Sequence, residues 1–424
     1  MADSSLQEYL CPNCGGPLEF NGEQQKMVCV YCESSFDMSE VKKNSGNDVS
    51  GEWTQSEGAK LEAGAEGVKE YTCDSCGAVM VCDGQLGATE CPYCGNPAIM
   101  ESVFTGMNLP DGIIPFANDK KVAQEAMENY YKGKKLLPPG FVNSNRLEEI
   151  KGVYVPFWLF DCDCNASGFY TATKERTFEE NGSKFKETKE YAVSRIAKMR
   201  YEKVPADGAK EMRDEYMDSI EPFDYSKIIP YDPAYFSGYL ASKYDETADD
   251  VKPRVNGRIK NTSEEKLRES VTGYDSVHAD RVSVDIKQGK VTYCMLPVWM
   301  LTTRWNGNAY TFAMNGQTGK VTGDLPIDKG QCTKHFCITF AIAAVICFLV
   351  SYFLFSLSIG PAIGASAVIS AIIAFIALSS AKSAMVSHVK TEAKHYFVDS
   401  AYKMLSSNDK HVRTRKEKIE TPNS

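Results

Sequence analysis

Eight cysteines form four Cys-x-x-Cys pairs near the start of the chain: Cys11/Cys14, Cys29/Cys32, Cys73/Cys76 and Cys91/Cys94. In both modules the two pairs stand fourteen residues apart, so the second module repeats the first. Two such turns can present four thiolates from the ends of a short hairpin, the donor set of tetrahedral structural zinc. Gly15, Gly77 and Gly95 follow a second cysteine directly, where a residue free to take positive φ relieves strain; Glu33 fills the matching place after Cys32. A module of about thirty residues has no other route to a core, so metal binding would supply its folding energy, about 10–16 kcal/mol apparent. The sequence therefore predicts two structural Zn(Cys)4 sites, with a redox dithiol or an iron–sulfur ligand set as the competing chemistries. Neither site leaves an open coordination position for catalysis. Cys82 reads as a small core residue, and Cys162-x-Cys164 has no partner pair nearby.

These ligands require two zinc ribbons, at 9–36 and 71–100. Between them residues 37–70, rich in Gly, Ser and Glu, read as a flexible tether, about 30 Å across as a coil. From 102 to 330 the composition suits an α+β domain. Lys120–Lys132 is expected as a helix with Val122, Ala126 and Tyr130 on one face, and 206–219 and 245–271 as further helices, the last limited by Pro253. Val153–Phe160, Gly168–Thr173, Arg281–Ile286 and Val291–Leu296 read as strands. Asn181-Gly182, Gln288-Gly289 and Asn306-Gly307 look like hairpin turns. Tyr154-Val-Pro-Phe-Trp158 is similar to Leu296-Pro-Val-Trp299, and each precedes an aromatic strand by about a dozen residues. That predicts two similar β units.

The chain's 424 residues carry a net charge of −9, unevenly spread. Residues 1–100 hold five Lys, no Arg and about a threefold excess of Asp and Glu. Each Zn(Cys)4 centre would add about −2 of formal charge. Nucleic-acid affinity rests mainly on Lys and Arg at phosphates, so this field argues against nucleic acid and for a protein partner. No signal peptide is expected at the N-terminus, and paired knuckles fit a reducing compartment. Residues 336–357 and 362–381 are uncharged and apolar, each long enough for one span, with a break at Ser358-Ile-Gly-Pro361. Gly360-x-x-x-Gly364 reads as turn chemistry. Lys329 and Lys334 before the pair, and Lys382, Lys390 and Lys394 after it, place both termini in the cytoplasm. No Asp, Glu, Lys, Arg or His lies within the spans, which argues against transport. The basic tail, 382–424, is expected to be helical to about Ser406. Its run His411–Lys416 would either rest on anionic headgroups or be solvated.

No P-loop, His-Glu-x-x-His, Gly-x-Ser-x-Gly or dinucleotide fingerprint occurs. Asp161 and Asp163, beside Trp158, are the acids to inspect for chemistry. The cysteine modules resemble zinc ribbons of the transcription-factor-IIB and primosomal-helicase types. Gly152-Val-Tyr-Val-Pro-Phe-Trp-Leu-Phe-Asp161, Asp218-Ser-Ile-Glu-Pro-Phe223, Tyr239-Leu-Ala and the run from Phe312 to Pro326 extend the likeness. Together they resemble a family of bacterial zinc-ribbon membrane proteins. What that resemblance implies is a bacterial cell-membrane location, with some relatives accompanying phage-shock-protein-A-like and SPFH proteins. The expected function is a non-enzymatic, membrane-anchored adaptor for a cytosolic or membrane-associated protein. The alternatives are a membrane-tethered nucleic-acid factor and a membrane-bound hydrolase or oxidoreductase.

Overall fold

A computed structural model describes residues 9–21, 26–37, 40–41, 49–55, 60–61, 68–83, 91–96, 99–102, 107–141, 147–181, 183–236, 238–353, 359–386 and 390–419. Its frame is an antiparallel sheet built from unusually long strands. β1 (Lys151–Glu180) and β3 (Ser276–Trp305) each run thirty residues, about 100 Å at 3.3–3.4 Å per residue. β2 (Ser183–Asp207), β4 (Asn308–Asn315) and β5 (Lys403–Lys418) complete the order β5-β2-β1-β3-β4. The separate strand segments expected from sequence are thus continuous. Trp305 pairs with Asn308 across Asn306 and Gly307, at φ of 50° and 82°, as a tight hairpin turn requires. Glu180 pairs with Ser183, and Asn181 has a φ of 51°; Gly182 lies outside the described residues.

Gln288-Gly289 is not a turn. Gly289 sits inside β3, where Trp53–Gln55 adds as a parallel strand, and a Cβ there would meet the Glu52 carbonyl oxygen at 2.6 Å. The glycine makes room for an approaching backbone rather than a reversal. The same pairing corrects the tether. Val49–Ser50 and Trp53–Gln55 both join β3, and Trp53 meets Phe160 edge-on with ring centroids 5.0 Å apart. Lys60–Leu61 pairs with Met107–Asn108. Composition hid these short strands because each carries a single apolar residue.

The helices follow their expected places with shifts. α1 (Lys120–Tyr131) is capped by Asp119 and buries Ala123, Met127 and Tyr131, one residue round from the expected face, leaving Val122 exposed. α2 is shorter than expected, Asp214–Ile220, because β2 holds the chain as far as Asp207. α3 (Ala248–Glu269) begins with a Thr247/Asp250 capping box and continues past Pro253. Its second-turn proline forfeits one helical bond, while Val251, Val255, Ile259 and Leu267 keep the helix packed on the sheet.

The internal repeat is real and intertwined. Tyr154 pairs with Pro297 and Pro156 with Met295, so the two motifs lie antiparallel on neighbouring strands. The Pro156 carbonyl accepts from Gly208 N (2.9 Å) and that of Pro297 from Gly316 N (2.8 Å), each glycine ending the hairpin's return strand. Trp158 Nε1 donates to Glu246 O (2.9 Å), just before α3, and Trp299 Nε1 to Asn118 O (3.1 Å), just before α1. Each long strand also takes a short parallel strand from the other unit: Leu240–Ser242 beside β1, and Gly112–Ile113 beside β3. Proline is tolerated in these central strands because each marks the point where one neighbour ends and another begins.

Two apolar helices follow, α4 (Lys329–Phe353) and α5 (Ile359–Ser383), packed against each other. Gly360 and Pro361 fall in the first turn of α5 rather than in a break before it, a position where proline costs little; 354–358 lie outside the described residues. Outward side chains such as Val345 (61% exposed) and Phe375 (68%) are apolar.

The tail is not helical to Ser406. After α5 it makes 3₁₀ turns at Lys394–Tyr396 and Asp399–Ala401 and then enters the sheet as β5. The basic run therefore lies in a strand, where Arg413 forms a bidentate pair with Glu190 (2.8 and 2.9 Å) and Lys416 pairs with Glu180. It is a strand of the sheet rather than a free tail. Opposite charges across the strands override its weak helical pattern.

Candidate metal centres

The eight predicted cysteines form two clusters, Cys11/Cys14/Cys29/Cys32 and Cys73/Cys76/Cys91/Cys94, with ligand sulfurs within 4.8 Å of one another in each. All eight are free of disulfides. Cross-pair Sγ distances are 3.5 Å for Cys11–Cys32 and Cys14–Cys29, and 3.7 Å for Cys73–Cys94 and Cys76–Cys91. Four thiolates at about 2.3 Å from a tetrahedral ion stand about 3.8 Å apart, so both clusters fit one ion each.

The backbone of each knuckle follows from its sequence. Gly15, Gly77 and Gly95 have φ of 77°, 82° and 66°, and each amide donates to the carbonyl of the first cysteine in its pair. Glu33 takes the same conformation at 63°, so the knuckle that departs in sequence does not depart in shape. Amides also point at sulfur: those of Asn13 and Cys14 at Cys11, Tyr31 and Cys32 at Cys29, Ser75 and Cys76 at Cys73, and Tyr93 and Cys94 at Cys91. Such bonds favour the thiolate a metal needs. The bond between their sulfurs lowers the Cys29 thiol to about 5 and raises that of Cys14, as expected where two thiols share a proton.

Both modules are built into the sheet. Alternation along β1 puts Val153, Val155, Phe157, Leu159 and Phe169 on one face and Tyr154, Trp158, Phe160, Cys162 and Cys164 on the other. α3 covers the second face, and both ribbons lie on the first. Ribbon 1 has its own three-stranded sheet and docks through Tyr31, which meets Phe169 edge-on at 4.7 Å and donates to Asp280 Oδ2 at 2.6 Å. Asp280 is the extra residue where the β1–β3 register slips, so a bulge aims the acceptor at the ribbon. Ribbon 2 is fused further. Its strand Val79–Asp83 pairs with Leu240–Ser242, and its Tyr71, Met80, Cys91 and Tyr93 share a core with Val153, Leu296 and Met300. The Thr302 hydroxyl donates to the Pro92 carbonyl (2.9 Å), and that of Thr311 to the Tyr93 carbonyl (3.2 Å).

Ribbon 1 should come off without losing its metal. Phe169→Ala with Tyr31→Phe removes the docking ring and hydroxyl but no ligand. Metal content should stay at two per chain while protease cutting between 37 and 48 rises at least tenfold, given about 3–5 kcal/mol for a buried Phe→Ala. A loss of metal without any change in cutting would mean the docking contact serves the site instead.

The other candidates lie elsewhere in the sheet. Cys162 and Cys164 are buried core residues beneath α3, with no further cysteine among their described neighbours in that cluster. Cys82 lies in the strand Val79–Asp83, opposite Lys69. Asp161 pairs with Lys203 through its side chain (2.5 Å) and amide (2.9 Å), stabilising a bulge in which Lys203 takes a φ of 56°. Asp161 and Asp163 both line an open cleft of about 470 Å³ together with Arg200, Glu202, Lys203 and Lys290.

Sequence reading missed a buried charge cluster. Arg258, 1% exposed, forms a bidentate pair with Glu221 (2.7 and 3.2 Å) and lies 3.7 Å from Asp218. Arg254 pairs with Asp207 at 2.7 Å and with Asp214. The chain after α5 threads through the same cluster: Lys390 N donates to Asp218 (2.9 Å), and Tyr396 OH donates to Glu221 (2.8 Å). Burial raises Asp207 to about 7 and Asp218 to about 6. The only sequence signal was the acidic pair within Asp218-Ser-Ile-Glu-Pro-Phe223, which resembled a motif without showing its burial.

Over 328 residues the chain is 32% identical to the uncharacterized protein YdjG of Bacillus subtilis strain 168, a match covering 77% of this chain and 92% of that protein. The chain belongs to the YdjG family. No family model matches it, and no solved structure matches it. The YdjG name assigns no activity, so the reading of function rests on the geometry above.

Proposed function

We propose that the chain is a membrane-anchored scaffold carrying two structural zinc ions, with no catalytic machinery, that holds a cytosolic or membrane-associated protein at the inner face of a bacterial membrane. The observation that carries this reading is the union, on one rigid sheet, of two thiolate clusters and a pair of helices whose outward surface is apolar. Zinc suits four cysteine ligands with no open position. Two predominantly apolar helical segments, Lys329–Tyr352 and Ile363–Ser383, are long enough to cross a bilayer, and lysines at both ends favour a cytoplasmic location for both termini. The perturbed carboxylates are locked in ion pairs within the core rather than facing a cleft, which favours a structural role over catalysis. Ribbon 1 offers the partner surface: its Pro12, Asn13 and Cys32 are exposed, while Glu33 is tied to the sheet by Lys410 (2.6 Å).

The test is co-purification from native membranes of the intact chain against a Cys11→Ser/Cys14→Ser variant. A protein that is lost with the variant, while the chain stays in the membrane with one metal, supports the scaffold. Nucleic acid retained in a salt-sensitive way by the intact chain would put the nucleic-acid reading in its place.

A further inference from the structure

The chain leaves the sheet for α4 at Asp328 and returns from α5 at Met385, and the turn after α1 holds both passages. The Leu136 carbonyl accepts from Asp328 N (2.9 Å), and Lys134 Nζ donates to Ala384 O (2.6 Å). Leu325 N donates to Met385 O (2.9 Å), and Leu136, Leu325 and Met385 are buried together against Leu378 and Ala381. The turn is therefore wedged between the foot of one apolar helix and the foot of the other.

That wedge gathers cations from three parts of the chain. Lys132, Lys134 and Lys135 come from the turn, Lys329 and Lys334 from the first two turns of α4, and Lys382 from the last turn of α5. Lys134 is half-buried and the other five are exposed. Lys132 donates to Asn129 (2.9 Å), and among the described residues none of the six forms an ion pair with a carboxylate. Asp328, beside Lys329 in sequence, accepts from Gln331 N (2.7 Å) at the start of α4. Exposed Ile327 lies beside this ring, and Trp305 and Tyr310 pack in the cluster beneath it.

We propose that this collar binds the headgroups of anionic phospholipids, an inference that rests on the membrane reading above. Six cations free of carboxylates at the foot of two apolar helices sit where hydrocarbon would give way to headgroups, and lysine stems can lie along apolar surface while their ammonium groups reach phosphate. The tail run at 411–416 differs in place and pairing, since it lies in a sheet strand with Arg413 and Lys416 paired to Glu190 and Glu180. Position selects lipid over a soluble phosphate: the cations surround the helices instead of lining a closed pocket.

The test uses the full chain in nanodiscs of phosphatidylcholine with a minority of phosphatidylglycerol, reading the lipids it retains by native mass spectrometry. Wild type and an Arg413→Gln/Arg415→Gln/Lys416→Gln variant should retain phosphatidylglycerol alike. Lys132→Gln/Lys134→Gln/Lys135→Gln should retain at least about tenfold less, since each surface cation is worth about fivefold. Lys132→Gln/Lys135→Gln, which keeps the Lys134 bond and guards against misfolding, should show a smaller loss. Unchanged retention in both turn variants, equal loss in the tail variant, or displacement by millimolar inorganic phosphate overturns the proposal. A chain that stays soluble without detergent and never enters the discs would instead sink the membrane reading itself.

Discussion

Replacing Cys73 and Cys76 by serine should release one metal ion per chain and also loosen the central sheet. Two thiolates cannot hold the ion that four hold, so the first effect is a drop from two equivalents to one. The second follows from packing. Metal binding supplies about 10–16 kcal/mol of apparent folding energy to such a module, more than most domains have in total. In ribbon 2 that energy is shared, because Tyr71, Met80, Cys91 and Tyr93 complete a core with Val153, Leu296 and Met300, and Val81 pairs with Ala241. Hydrogen exchange should therefore accelerate not only across 68–102 but also in Leu240–Ser242 and in β3 around Leu296–Thr302. The matching Cys11→Ser/Cys14→Ser change should stay local, since ribbon 1 has a separate small core and meets the sheet mainly through Tyr31, Phe169 and Ala192. Equal spread from both variants would show that the modules are equivalent appendages. Metal content unchanged at two would show that these cysteines are not the ligands.

The difference between the modules marks where the sequence could be read. Cysteine spacing specified the membership of both clusters, because two Cys-x-x-Cys turns at the ends of a hairpin leave few arrangements and the knuckle backbone fixes their turns. The similar Pro and Trp motifs pointed correctly to a repeat. They did not reveal that each unit lends a short strand to the other, since Gly112–Ile113 and Leu240–Ser242 are too short to signal a strand. Tertiary pairing also overrode composition where it was weakest. Val49–Ser50 and Trp53–Gln55 looked like tether until β3 offered them an edge, and the tail's basic run looked like a lone charged segment until Glu180 and Glu190 stood opposite. A periodicity rule sees one segment at a time, and cross-strand charge complementarity belongs to two.

The buried charge cluster leads to the other large effect. Arg258→Met should destabilise the chain by about 3–5 kcal/mol, because Glu221 would keep its burial and lose its guanidinium. The cost should reach beyond α3, since Glu221 also holds Tyr396 and Lys390 after the apolar helices. The same cluster sets a pH dependence. Four carboxylates, Asp207, Asp214, Asp218 and Glu221, face Arg254, Arg258 and Lys390, and Asp207 Oδ2 and Asp218 Oδ1 accept no hydrogen bond among the described residues. Burial, opposed by Arg254, raises Asp207 to about 7; burial and the nearby Glu221 raise Asp218 to about 6. In the unfolded chain both ionise near 4, as free aspartates do. The folded chain thus binds more protons between about pH 4 and 7, and the stability these groups contribute, present below that window, is lost as pH rises through it. Thermal melts of the detergent-solubilised chain should show this decline, and Asp207→Asn, which cannot ionise, should flatten the part between about pH 5 and 7.5. An unchanged slope in that variant would mean Arg254 keeps Asp207 ionised throughout, and the cluster would then act as a fixed clamp on the chain leaving the apolar helices.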